Sequence, residues 1–270
     1  MATDSFVQAP GGRLFVRIWG TIGSSTGPPA IILFHDSLGC VELWRDFPMQ
    51  LASITGFPVI AYDRLGFGLS DPHPGRLKVG FVEDEARTAV PELRSALGIE
   101  RMILFGHSVG GGMAVASAAA FQDASAALVT ESAQAFVEDR TIAGIQEGRR
   151  MFRAPDQIAR LARYHGEKAR WVVDAWTESW LAPQFAGWNL DDHLRSVRCP
   201  VLAIHGDRDE YGSSRHPERI CSLPPTPTHS LILDDCGHVP HREKPDQVLA
   251  AVKQFLDPSI RGYRGARSRS

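Results

Sequence analysis

The sequence predicts an α/β fold, a mostly parallel sheet covered by helices on both faces, with a helical insertion late in the chain. Three observations predict it. Short continuous apolar runs recur, as at 30–34 (Ala-Ile-Ile-Leu-Phe) and 201–204 (Val-Leu-Ala-Ile), and such runs suit strands buried on both sides. Helical patterns separate them, as parallel strands joined by crossovers require. Between residues 132 and 198 that alternation stops, and the pattern is helical throughout.

In chain order, residues 6–8 and 14–19 read as a hairpin around the turn at 9–13, Ala-Pro-Gly-Gly-Arg. A Gly/Ser/Thr/Pro loop covers 20–29, and the strand at 30–34 follows. A helix is expected over 43–55, a strand over 58–62, a helix over 79–97 and a strand over 101–105. A further helix runs from just past Ser108 to about Phe121, then a strand over 126–130. Within the insertion, helices are expected over 157–164 and 167–181. The strand pattern resumes at 199–204, ends at 231–233, and a last helix covers 247–256. Residues 1–131 and 199–260 thus form one core, and 132–198 a helical cap. The basic, apolar-poor residues 261–270 read as a frayed tail.

Composition narrows the function classes. The chain has 270 residues, enough for a sizeable core and for one domain or two. Hydrophobic residues make up 43% and charged residues 22%, the balance of an ordinary globular protein. A formal charge of −2 favours neither nucleic acid nor an anionic membrane as partner. No apolar run is long enough to span a bilayer, and no secretory pattern opens the chain, so the cytoplasm is the default location. Cys40, Cys199, Cys221 and Cys236 are scattered without metal-ligand spacing and are expected to be reduced and mostly buried. No metal or cofactor signature is present, and the glycines at 110–112 lack dinucleotide-binding spacing. Oligomeric state is not legible.

The strongest local signal is Leu104-Phe-Gly-His-Ser-Val-Gly-Gly111, which holds Gly106-x-Ser108-x-Gly110 between an apolar strand and an Ala-rich helix. A serine lifted off a sheet needs a sharp turn, and small neighbours let the backbones pass closely. With His35-Asp-Ser-Leu-Gly39, Tyr62-Asp-Arg-Leu-Gly-Phe-Gly-Leu-Ser70, His205-Gly-Asp-Arg-Asp209 and Gly237-His238, the chain resembles the α/β-hydrolase superfamily from about Phe6 to Leu256. The resemblance implies Ser108 as nucleophile, Asp209 as the acid and His238 as general base, in that chain order. A loop at His238, just past the last strand, lies on the same sheet edge as the serine turn. His241, at the start of the next helix, reads as a surface or supporting residue, and His205 and Asp207 as locally bonded.

The resemblance also assigns the oxyanion hole to the backbone N–H groups of Val109 and Ser37. Asp36 stands where glycine is usual, and its carboxylate must point away or bind Arg64 or another cation. Asp63 and Arg64 read as structural, a charged pair in a glycine-rich turn. In the insertion, Trp171, Trp176, Trp180 and Trp188, with Phe152, Tyr164 and Phe185, either line an apolar pocket or pack the cap onto the sheet. Candidate substrate contacts are Asp36, His107, Trp176, Trp180 and Tyr211. The resulting expectation is a serine hydrolase of a small-molecule carboxylic ester or related acyl compound. Thioesterases, lactonases, acyltransferases and carbon–carbon bond hydrolases share the triad, and some members of this fold are ligand receptors with little turnover. Haloalkane dehalogenases and epoxide hydrolases use an Asp nucleophile, against which Ser108 argues.

Overall fold

The computed structural model describes residues 2–23 and 27–266, with side chains described to 257. Its centre is one eight-stranded sheet. The strands are β1 (Ala2–Ala9), β2 (Gly12–Trp19), β3 (Ala30–Phe34), β4 (Val59–Tyr62), β5 (Met102–His107), β6 (Ser125–Glu131), β7 (Val201–Gly206) and β8 (Thr228–Leu233). Their spatial order is β1-β2-β4-β3-β5-β6-β7-β8. The hairpin β1–β2 is antiparallel and β2 meets β4 antiparallel. Every pairing from β4 to β8 is parallel. The expected α/β-hydrolase architecture is therefore present.

The apolar runs are buried on both faces because successive side chains point to opposite sides. Ile32, Phe34 and Leu104 join one core layer, with α2 (Phe81–Leu97) and α3 (Val109–Ala120). Ile31, Leu33, Ile103 and Phe105 join the other, with α1 (Phe47–Thr55) and the last helix, α10 (Pro245–Ala266).

Between β6 and β7 lie α4 (Asp139–Met151), α5 (Pro155–His165), α6 (Ala169–Trp180) and α7 (Asp191–Ser196). Beyond β7 come α8 (Arg215–Ser222) and α9 (Pro240–Glu243). Among the described residues, no helix is long and apolar enough to cross a membrane.

Several boundaries differ from the sequence reading. β1 starts at Ala2, because its pairing with β2 runs the full length of both strands. The helix expected over 43–55 breaks at Arg45, whose φ is +56°, into a short 3₁₀ turn (Val41–Trp44) and α1. Pro48 has no N–H to donate and fits the first turn of α1. β8 begins at Thr228, where polar edge residues hide the strand pattern. The backbone of α10 runs to Ala266, and the end of the expected basic tail, 267–270, lies outside the described residues. Cys40, Cys199 and Cys236 are buried free thiols and Cys221 is half-buried.

Candidate active site

The turn from β5 into α3 carries Ser108 with φ +55° and ψ −127°, a conformation a non-glycine residue adopts only when its surroundings impose it. Those surroundings are tight. A Cβ at position 106 would stand 2.1 Å from the Gly110 carbonyl oxygen, and one at 110 would stand 2.2 Å from that of Phe34. Ser108 caps the open end of α3, and Val109 is the first residue of that helix. The Val109 N–H has no intrahelical carbonyl to reach, so it is available to a ligand.

Asp209 follows β7 and His238 follows β8, and the shared sheet edge brings both to the serine. His238 Nε2 lies 3.0 Å from Ser108 Oγ. On its other side, His238 Nδ1 lies 2.9 Å from both carboxylate oxygens of Asp209. Asp209 Oδ1 also accepts the backbone N–H groups of Tyr211 (2.8 Å) and Gly212 (3.1 Å). Burial works against its charge, but His238, His205 and the Tyr211 N–H prevail and hold its pKa at about 2. An ionised Asp209 accepts the Nδ1 proton and leaves the Nε2 lone pair facing the serine hydroxyl. Asp207 does not bond within its own turn: it accepts the N–H of Cys236 in the loop after β8, while His205 donates to the nearby Gly212 carbonyl.

The loop after β3 is bound down by its carbonyls. His35 Nδ1 donates to the Asp36 carbonyl at 2.8 Å, and Arg64 Nη2 donates to the same oxygen at 2.9 Å. His35 Nε2 in turn accepts the Arg64 N–H. The Asp36–Ser37 peptide is planar and trans, so these bonds turn the Ser37 N–H away from Arg64. The Asp36 carboxylate does not bind Arg64. It accepts the Leu38 N–H at 2.8 Å, and its other oxygen is 3.5 Å from His107 Nδ1, within ion-pair range but not aligned for a hydrogen bond. Burial raises the Asp36 pKa, yet His107 outweighs it and holds the carboxyl far below its usual range. Asp63 and Arg64 do not pair with each other. Asp63 accepts the N–H groups of Val41 and Leu69, and the Arg64 guanidinium lies over the Phe67 ring.

His107 is 2% exposed, and its Nε2 donates to the His238 carbonyl at 2.7 Å. It lines the cavity and supports the His238 loop. Burial disfavours its charge, but Asp36 and Glu131 raise its pKa. His241 is buried, not on the surface, and its Nδ1 lies 2.6 Å from Glu131 Oε2. His107, Glu131 and His241 bring potential ligand atoms within 4.8 Å of one another. Each histidine uses one nitrogen in a bond just given, His107 to the His238 carbonyl and His241 to Glu131, while His107 Nδ1 and Glu131 Oε1 have no hydrogen-bond partner among the described residues.

A cavity of about 340 Å³ opens over Ser108, lined by Asp36, Ser37, His107, Trp176, Trp180, Tyr211 and His238 among others. All the sequence-derived substrate contacts thus face one space. The Tyr211 ring centre is 4.7 Å from that of His238. Of the four tryptophans between β6 and β7, only Trp176 and Trp180 line the cavity. Trp171 packs on Phe67 and His73, and Trp188 stacks on Phe185 and donates to Glu83. Phe152 and Tyr164 line the cavity, while Phe185 packs against Phe81. Residues the sequence reading missed are Gln134, whose Oε1 lies 3.4 Å from Ser108 Oγ, and Gln157, Arg160 and Arg242 in the cavity wall. Gln134 could have been found from its position just past the C-terminal end of β6, the edge where such sheets bind ligands.

The alpha/beta hydrolase family model matches residues 31–252. The serine hydrolase BPHL of Mus musculus is 29% identical over 200 residues, covering 68% of this chain and 64% of that protein. The match spans less than two thirds of the length of that relative and of its Homo sapiens counterpart. Among solved structures, a bacterial membrane phospholipase A aligns with TM-score 0.74 and 22% identity, over 96% of this chain and 86% of that one. A serine hydrolase involved in carbazole degradation, the CarC enzyme, aligns with TM-score 0.73 and 20% identity, over 95% and 99%. At these identities the structural likeness shows the fold.

Proposed function

The chain belongs to the alpha/beta hydrolase family, and from that premise we propose that it is a serine hydrolase cleaving a carboxylic ester or related acyl bond through an acyl-enzyme. The observation that carries this reading is the unbroken sequence of contacts from Ser108 Oγ through His238 to the buried Asp209. As Oγ attacks the acyl carbon, its proton passes to His238 Nε2, and Asp209 stabilises the resulting imidazolium. The charge developing on the carbonyl oxygen is met by the N–H groups of Val109 and Ser37, each worth about 3–4 kcal/mol in the transition state. Collapse of the tetrahedral intermediate expels the alcohol, which takes the proton from His238. A water molecule then repeats the sequence on the acyl-enzyme and restores the serine.

The cavity suits a small or medium acyl group, since Ile145, Leu161, Trp176 and Trp180 make the apolar part of its buried wall. Residues 132–198 act in this reading as a lid over the serine. The test is rapid mixing with p-nitrophenyl esters of two to eight acyl carbons. A burst of p-nitrophenol equal to the enzyme concentration, absent in Ser108→Ala, is the expected result. Undiminished turnover in Ser108→Ala overturns the proposal.

A further inference from the structure

The cavity over Ser108 has two chemically different parts. Away from Ser108, His107, Gln134 and Thr141, its buried wall is apolar (Ile145, Leu161, Trp176 and Trp180), whereas its exposed rim carries two guanidinium groups, Arg160 and Arg242. Arg160 belongs to the face of α5 that covers the cavity. Gln157, Arg160, Leu161 and Tyr164 all line it, at i, i+3, i+4 and i+7, the spacing of one helical face. Arg163, on the same helix, does not line it.

The hydrogen-bond inventory of this rim is one-sided. The Tyr164 oxygen accepts a bond from Arg45 Nη2 at 2.8 Å, which leaves its own proton free to donate. Arg242 gives one N–H to the Leu43 carbonyl. Neither Arg160 nor Arg242 pairs with a carboxylate among the described residues. Asp36 is the sole acid in the described cavity wall, and it already lies against His107 and the Leu38 N–H. The rim therefore offers several donors and two positive charges without an internal counter-charge, the complement of an anion.

We propose that the substrate is an acyl compound whose far end carries a carboxylate, with its apolar middle against Trp176 and Trp180 and its carboxylate on Arg160 and Arg242. This rests on the serine-hydrolase reading above and names its substrate class. A guanidinium presents paired N–H donors that match the two oxygens of a carboxylate, so the contact selects for charge and for shape.

The experiment compares kcat/KM for three p-nitrophenyl esters of equal chain length: the hemiadipate, its ω-carboxamide and the hexanoate, each corrected for uncatalysed hydrolysis. The carboxylate ester is expected to exceed the carboxamide by about tenfold, and that ratio to shrink at high salt because the rim is exposed. In Arg160→Gln combined with Arg242→Gln the ratio falls to near one. Being a ratio within one preparation, it is insensitive to partial loss of folded protein. Equal rates for acid and amide in the unaltered chain, or a preference that survives the double substitution, overturns the inference. Hexanoate hydrolysis that requires Ser108, without any acid preference, overturns only this inference. Absence of hydrolysis of all three esters overturns the underlying reading as well.

Discussion

Arg64 holds the carbonyl of Asp36 rather than its carboxylate, and in the proposed mechanism, where Ser37 N–H is an oxyanion donor, that contact, shared with His35, bears on catalysis. A trans peptide unit carries its C=O and N–H on opposite sides, so holding the Asp36 oxygen sets the direction of the Ser37 N–H. Arg64→Met removes one of the two donors to that oxygen, leaving His35 Nδ1, while keeping apolar bulk over Phe67. Oxyanion donors act on the transition state more than on bound substrate. The substitution is therefore expected to lower kcat by about tenfold or more with little change in KM. Steady-state kinetics on a folded variant, verified by circular dichroism, checks it. An unchanged kcat would show that the loop keeps its orientation on the His35 bond alone. This contact spans 28 positions of sequence, and no local pattern announces it. The same holds for the facing of Asp36 to His107 and for the inward turn of Arg160. The convergence of Ser108, Asp209 and His238 was legible because each sits in a short motif next to a strand end.

The element that most constrains the site is the strand-to-helix turn between β5 and α3. Its glycines are required by close backbone approach. A methyl group at 110 meets the carbonyl oxygens of Phe34 and His35, at 2.2 and 2.6 Å, and backbone atoms cannot swing aside as a side chain can. Gly110→Ala is expected to cost about 3 kcal/mol or more, read as a lower urea midpoint with unchanged slope. A midpoint equal to that of the unaltered chain would contradict the packing described. This turn was legible because its glycine spacing is local. β8 and α8 were less so: β8 is an edge strand opened by Thr-His-Ser, and α8 spends its eight residues on an amphipathic Arg-His-Pro-Glu-Arg-Ile-Cys-Ser segment with one buried aliphatic side chain. Edge and surface elements carry weak apolar signals because tertiary contact, rather than a run of hydrophobic residues, holds them in place.

Across the whole molecule, burial of imidazoles couples stability to pH. Burial lowers the pKa of His35, His165, His205 and His241 below 6.5, and that of His216 to about 4. His165 shows the cause: Nδ1 accepts the Gly68 N–H and Nε2 donates to the Leu38 carbonyl, a pairing open only to the neutral ring. For such groups the unfolded chain binds more protons than the folded one below pH 6.5. Their stabilisation is complete above pH 6.5 and is lost as pH falls from there through the folded values. His107 has the opposite sign, its raised pKa favouring the fold at lower pH, but five groups oppose one. Each unit of depression is worth about 1.4 kcal/mol, so the urea midpoint is expected to drop markedly from pH 7.5 to pH 5. A midpoint constant over that range would contradict the buried neutral assignment. The same global packing brings three side chains from separate strand ends to one point, and covalent capture tests that convergence most directly. A fluorophosphonate is added to the intact protein, and the labelled peptide is identified by mass spectrometry. Rapid modification confined to Ser108, slowed by about three orders of magnitude or more in His238→Gln, is the predicted result. An unreactive Ser108, or equal labelling rates with and without His238, would contradict the account.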